Sequence, residues 1–328
     1  MGEQIALLVT ATRMPTILSA SPQVVPSAHL HSWTRRVLLW VTVLVASRLP
    51  EIVCRELGIN AGIWVAPLYE TLFLIALAII AAQLHANKNL AGFILATAAL
   101  TFSWRIIVPW IESSFVFVSA SDHMSWGARF FLLRAIRTVG AICLIATLAG
   151  SGIGRRELFL CLGNWQAPVK SDIFFRFRKP MSWAHFSLAL LVFFSLLLPP
   201  YLFWTLDPRV DYVRRLLLAL PWAVATSVLN AANEEFQFRS VLLARLTGFV
   251  SVREAFLVIA VFFGISHYFG QPSGWGGVLL AGFAGWIWAK SMVETQGFAC
   301  AFFMHFVLDM VIFCFLAMSA TDLSAAWS

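Results

Sequence analysis

The sequence predicts an all-α fold, a multi-pass transmembrane helical bundle of eight to nine spans. Three observations carry this. Of 328 residues, 60% are hydrophobic and only 12% charged, about half the charge of a soluble domain. The apolar residues fall in long runs, several reaching the ~20 residues that a membrane-crossing helix needs. The Lys and Arg residues cluster between those runs, where membrane proteins carry loop charges on the cytoplasmic side. The 14 Trp and 29 Phe also suit a lipid interior and its interfacial belts.

Residues 1–36 contain Pro15, Pro22 and Pro26 among Ser and Ala and read as a poorly ordered leader or a misassigned start. The apolar run 5–9 is too short for a signal peptide. Candidate spans follow at 37–54, 62–83, 90–111, 129–150, 184–204, 217–245, 254–269, 275–290 and 297–318. The first is weak, because Arg48, Pro50, Glu51 and Arg55 interrupt it. The sixth exceeds the required length and carries charges near its end. Pro221 predicts a kink in it. Gly277, Ala281 and Gly285 form a stripe of small residues on the eighth, which lets a neighbouring helix approach closely.

The longest polar interval, 151–182, holds Arg155, Arg156, Lys170, Arg176, Arg178 and Lys179. It divides an N-terminal transmembrane region, 37–180, from a C-terminal one, 181–320. Placed in the cytoplasm, it takes Arg35, Arg36 and Lys88 with it and predicts a cytoplasmic N-terminus. The net charge of +7 is loop charge of this kind and does not point to nucleic acid. Cys54, Cys143, Cys161, Cys300 and Cys314 form no CxxC pair and read as small packing residues.

Ionisable groups at membrane depth are costly and usually face a protein interior. The C-terminal region has three such places. In Asn233-Glu234-Glu235-Phe236-Gln237-Phe238-Arg239, Glu235 and Arg239 stand one turn apart and can pair, while Glu234 points about 100° away. Asn230 lies one turn before Glu234. The second place is His267, at the end of Phe263-Gly264-Ile265-Ser266-His267. The third is His305-Phe306-Val307-Leu308-Asp309, whose His and Asp share a face. Taken singly, the first and third fit a helix end in water and a self-satisfied pair as well as they fit a site, and a lone His such as His267 is more often a packing residue than a catalyst. Their depth joins them. At 1.5 Å per residue from the cytoplasmic ends, Glu234 lies roughly 17 Å in, His267 roughly 20 Å, His305 about 12 Å and Asp309 about 18 Å.

The ordered set Glu234-Glu235-x-x-x-Arg239, Phe263-x-x-x-His267 and His305-x-x-x-Asp309 resembles the three motifs of the CPBP family, which includes the type II CAAX prenyl endopeptidases. The resemblance covers about 181–320. It implies an intramembrane endopeptidase acting on a membrane-anchored peptide or protein. Glu234 and His267 would activate a water, and His305 and Asp309 would complete the site. Glu235 and Arg239 would support it. The prenyl endopeptidases typically carry Asn where this chain has Asp309, and a carboxylate is a poor oxyanion donor unless protonated or relayed through His305.

Hydrolysis of an amide needs a base for water, a proton donor for the amine and a cradle for negative charge. These residues meet that need without a cofactor. The same four, Glu234, His267, His305 and Asp309, could instead hold a divalent metal such as Zn²⁺, although no HExxH is present. A transporter or channel with a polar ion or proton layer, and a non-catalytic membrane scaffold of the same fold, are the alternatives. The expected location is an integral membrane position, the plasma or inner membrane if the source is bacterial.

Overall fold

A computed structural model describes residues 33–59, 65–83, 88–172, 174–177 and 179–320. The predicted leader lies almost wholly outside the described residues, as does Arg178. Helices dominate. They are α1 (Trp33–Ala46), α2 (Leu49–Glu56), α3 (Val65–Gln83), α4 (Lys88–Glu112), α5 (Phe115–Ser121), α6 (Trp126–Leu148), α7 (Trp183–Leu206), α8 (Tyr212–Leu246), α9 (Val252–Phe269), α10 (Gly274–Thr295) and α11 (Ala299–Ser319). Among the described residues eight of these, α3, α4 and α6–α11, are long and apolar enough to cross a membrane.

The span predicted at 37–54 is a broken one. α1 and α2 meet at 58°. Arg48 adopts φ +70° between them, and Pro50 stands in the first turn of α2. A left-handed residue cannot continue a right-handed helix, and a proline, lacking an N–H, opens one without losing a bond. Helix α8 runs from Tyr212 through Pro221 without interruption. The departure from α geometry falls later, in a wider π turn over Glu235–Val241. A second π turn, Ser103–Ile107, lies in α4. Such turns add a residue to the ring and re-aim the side chains around it.

The two π turns touch. Trp104 Nε1 donates to Gln237 Oε1 at 2.7 Å, and the rings of Trp104 and Phe238 meet edge-on at 5.2 Å. Gln237 Nε2 donates to Asn233 Oδ1 at 2.5 Å and to the Arg137 carbonyl at 3.2 Å. That carbonyl lies where α6 breaks step between Ile136 and Thr138. Gly140 makes room, because a Cβ there would stand 2.1 Å from Gln237 Oε1. The helices of the N-terminal region are thus tied to the helix that carries both adjacent glutamates.

Close packing also shapes α9 and α10. A Cβ on Gly264 would lie 2.6 Å from the Val278 carbonyl and 3.0 Å from Gly282 Cα. Gly277 and Gly285 of the small-residue stripe face the turn after α9 and the Phe263 ring respectively. The 151–182 interval is a docked loop. Lys290, 2% exposed on α10, binds Asp172 at 2.9 Å, Glu294 at 2.6 Å and the Lys170 carbonyl at 2.7 Å. Trp183 Nε1 and the Lys170 N–H both donate to Glu294 Oε2 at 3.0 Å. The Asn164 N–H adds a bond to the Thr295 carbonyl at 2.8 Å. A buried cation satisfied by two carboxylates and a carbonyl holds this loop more firmly than surface charges would.

Candidate functional site

Helix α8 supplies the first half of the site. Asn230 and Glu234 stand one turn apart, and Asn230 Nδ2 donates to Glu234 Oε1 at 3.2 Å. The same amide donates to Asp309 Oδ2 of α11 at 3.0 Å. One side chain therefore joins the carboxylates of two helices. Glu235, the next residue, is fully buried, as is Arg239. Their closest approach, Arg239 Nη1 to Glu235 Oε1, is 3.1 Å. The Arg239 guanidinium lies 3.6 Å from the centre of the Phe263 ring and 4.7 Å from that of Trp288, so two aromatic faces serve as its remaining partners.

Helix α11 supplies the second half. His305 Nδ1 lies 2.7 Å from Glu235 Oε1. Its ring stacks on Trp288 at 4.2 Å with planes 14° apart. These two contacts fix the imidazole, and Nε2 is left 3.5 Å from Asp309 Oδ2 and 3.8 Å from Glu234 Oε2. His267 closes the set at the end of α9. Its Nδ1 lies 2.9 Å from the Phe263 carbonyl. A carbonyl can only accept, so Nδ1 carries the proton and Nε2 keeps a lone pair when the ring is neutral.

Glu234, His267, His305 and Asp309 line one cavity of about 1310 Å³, together with Asn230 and Trp288. One wall is apolar, built by residues such as Phe194, Leu197, Leu308 and Ile312. The N-terminal region contributes charged lining residues, among them Arg48, Glu51, Arg105, Glu112, Arg134 and Arg137. Arg105 pairs with Glu70 and lies 3.1 Å from Glu51. Arg48 grips Glu51 through two bonds of 2.9 and 2.7 Å. Helix α2 also leans on the turn that follows His267. Arg48 lies 4.3 Å from the Phe269 ring centre, and Tyr268 Oη donates to Glu56 at 2.5 Å.

All six residues singled out in the sequence meet here, the four candidates around the cavity and Glu235 with Arg239 behind it. Three features escape sequence reasoning. Asn230 bridges Glu234 to Asp309, Glu235 engages His305 as well as Arg239, and the N-terminal helices furnish a charged wall. Arg105, Arg134 and Arg137 gave a signal, since each sits in an apolar run at a depth where a cation needs a reason. Among the described residues, no group of three or more His, Cys, Asp or Glu gathers as metal ligands do. Nδ1 of His305 is committed to Glu235, and Asn230 occupies one oxygen each of Glu234 and Asp309.

Residues 216–311 match the family described as Type II CAAX prenyl endopeptidase Rce1-like. No curated protein and no solved structure matches the chain. The match begins in α8 and ends in α11, so it takes in all six residues and is narrower than the 181–320 suggested by the motifs.

Proposed function

We propose that this chain, whose residues 216–311 match the Rce1-like family, is a CPBP-type intramembrane endopeptidase with Glu234 as its general base. The observation that carries this reading is the sharing of one cavity by Glu234, His267 and His305. A carboxylate and two imidazoles lining one cavity is what hydrolysis of a peptide bond requires.

The reaction runs on side chains alone. A water held by Glu234 and the Nε2 lone pair of His267 attacks the scissile carbonyl carbon. A C–O bond forms, the carbonyl π pair moves onto oxygen and the water proton passes to Glu234. The tetrahedral centre then collapses, the C=O re-forms and the C–N pair leaves on nitrogen. The nitrogen takes the proton from Glu234, which returns to carboxylate. His305, as an imidazolium flanked by Glu235 and Asp309, donates from Nε2 to the developing oxyanion. This resolves the difficulty of an aspartate at 309. Asp309 orients and charge-balances the donor and need not be the donor itself. Glu235 acts through His305 and is a positioning residue.

The substrate is a membrane-anchored peptide or protein, and the apolar wall beside the site suits an anchor lying in lipid. Turnover of such a peptide by purified protein in liposomes tests the reading. Glu234→Gln should lower turnover at least ~10²-fold, the size of a general-base contribution. A chelator should change nothing, whereas a metal enzyme would lose activity and regain it with Zn²⁺. Full activity in Glu234→Gln would eliminate the mechanism and favour a transporter or scaffold.

A further inference from the structure

We infer that Arg134 and Arg137 of α6 form an anion subsite that receives a carboxylate of the substrate peptide beside the scissile bond. This rests on the proteolytic reading and adds a determinant of specificity to it. Both residues lie outside the segment that matches the protease family, and both line the cavity that holds Glu234.

The cavity's cations differ in what they already bind. Arg48 is held by Glu51, and Arg105 by Glu70 and Glu51. The guanidiniums of Arg134 and Arg137 have no ion pair and no hydrogen bond among the described residues. Aromatic rings hold them instead. Arg134 lies 5.0 Å from the Phe130 ring centre and 5.4 Å from that of Phe313, and Arg137 lies 5.1 Å from that of Trp104. Cation–π contact places a guanidinium and leaves its in-plane N–H donors unused. The other charges that act on Arg137 are Glu234, Glu112 and Arg48. Glu112 forms no ion pair with either arginine, and Glu234 is bonded to Asn230. Two preplaced, donor-rich cations on one cavity fit an anion with two oxygens.

Position decides which anion. Arg137 is at the middle of the 23-residue span Trp126–Leu148, far from either interface where lipid phosphates lie. Its carbonyl accepts from Gln237, one turn beyond Glu234 on α8, so the subsite and the base share a level. An anion at that level must be carried in by the substrate. A peptide carboxylate, terminal or from an acidic side chain, is the class that a protease admits there.

Three lipid-anchored peptides that differ only in ending in a carboxylate, ending in a carboxamide, or carrying one added Glu with the carboxamide test this in phosphatidylcholine liposomes. The wild-type protein should favour a carboxylate-bearing peptide about ten- to a hundredfold in kcat/KM, mainly through KM, as a charge-assisted hydrogen bond would give. Which of the two acidic peptides gains identifies the source of the carboxylate. Arg134→Gln and Arg137→Gln should each bring the preference close to unity, while Arg137→Lys keeps part of it. Equal wild-type cleavage of all three peptides overturns the subsite and leaves proteolysis standing, and this arm needs no variant to fold. A preference that tracks added phosphatidylglycerol instead of the peptide also overturns it, because a headgroup then fills the site. Binding of the same labelled peptides to Glu234→Gln protein separates the two readings. A carboxylate preference in binding without cleavage by any protein supports the subsite and removes the proteolytic assignment.

Discussion

Nδ1 of His305 sits 2.7 Å from Oε1 of Glu235, a residue that also meets Arg239 at 3.1 Å. The second glutamate of the adjacent pair therefore reaches across from α8 to α11 and sets which nitrogen of His305 faces the cavity. Glu235→Gln should release the His305 ring from its fixed orientation, so that Nε2 is no longer held toward the cavity. Turnover is expected to fall about 10- to 100-fold, the range found when a residue orienting a functional histidine is lost. The change also strips the buried Arg239 of its counter-charge, so the melting temperature should fall as well and turnover is read per folded protein below it; undiminished kcat would show that Glu235 has no hold on His305.

Arg239→Ala should act on stability first. Glu235 is fully buried, and removing Arg239 leaves its carboxylate with only the imidazole of His305, which Asp309 shares. Breaking a buried pair in this way costs about 3–5 kcal/mol. A melting temperature in detergent close to the wild-type value would contradict the pairing.

Asp309→Asn provides a contrast with Glu234→Gln. The asparagine oxygen can still accept from Asn230 Nδ2, so the bridge between α8 and α11 survives. The negative charge beside His305 is lost, which weakens the donor without removing it. Turnover should drop less than about tenfold, against ~10²-fold or more for Glu234→Gln. Equal losses in the two variants would mean that Asp309, and not His305 alone, contacts the reacting atoms.

Gly140→Ala probes the tie between the N-terminal helices and α8. A methyl there would stand 2.1 Å from Gln237 Oε1 and 2.6 Å from Trp104 Nε1, so their hydrogen bond must open. Overpacking of this kind costs about 1–3 kcal/mol. The expected result is a lower melting temperature together with reduced turnover. Wild-type values for both would show that α6 and α8 do not depend on each other at this point.

The orientation proposed from the charge bias is open to direct measurement. Cys161 is exposed in the 151–182 loop, and with the other four cysteines replaced it becomes a single reporter. An impermeant maleimide should label it from the cytoplasmic face only. Labelling from the opposite face would invert the topology.

Much of this architecture is local information. Apolar runs of ~20 residues dictate helices because lipid offers backbone groups no partner. Eight of the nine predicted spans accordingly stand within a few residues of their expected places. Arg48 and Pro50 mark the weak first span, and there the chain bends. One-turn spacing likewise announces Asn230 beside Glu234 and Glu235 beside Arg239, since a helix fixes what faces what. The sequence could not say that Asn230 also reaches Asp309, that Glu235 holds His305, or that Arg134 and Arg137 face the same cavity as Glu234. Nor could it say that Lys290 buries itself under the 151–182 loop. Each of those relations joins side chains far apart along the chain, and helix periodicity carries no information about which helix lies next to which. Packing decides that. The small residues Gly140, Gly264 and Gly282 let particular backbones close to contact, and the two π turns aim Trp104 and Gln237 at one another.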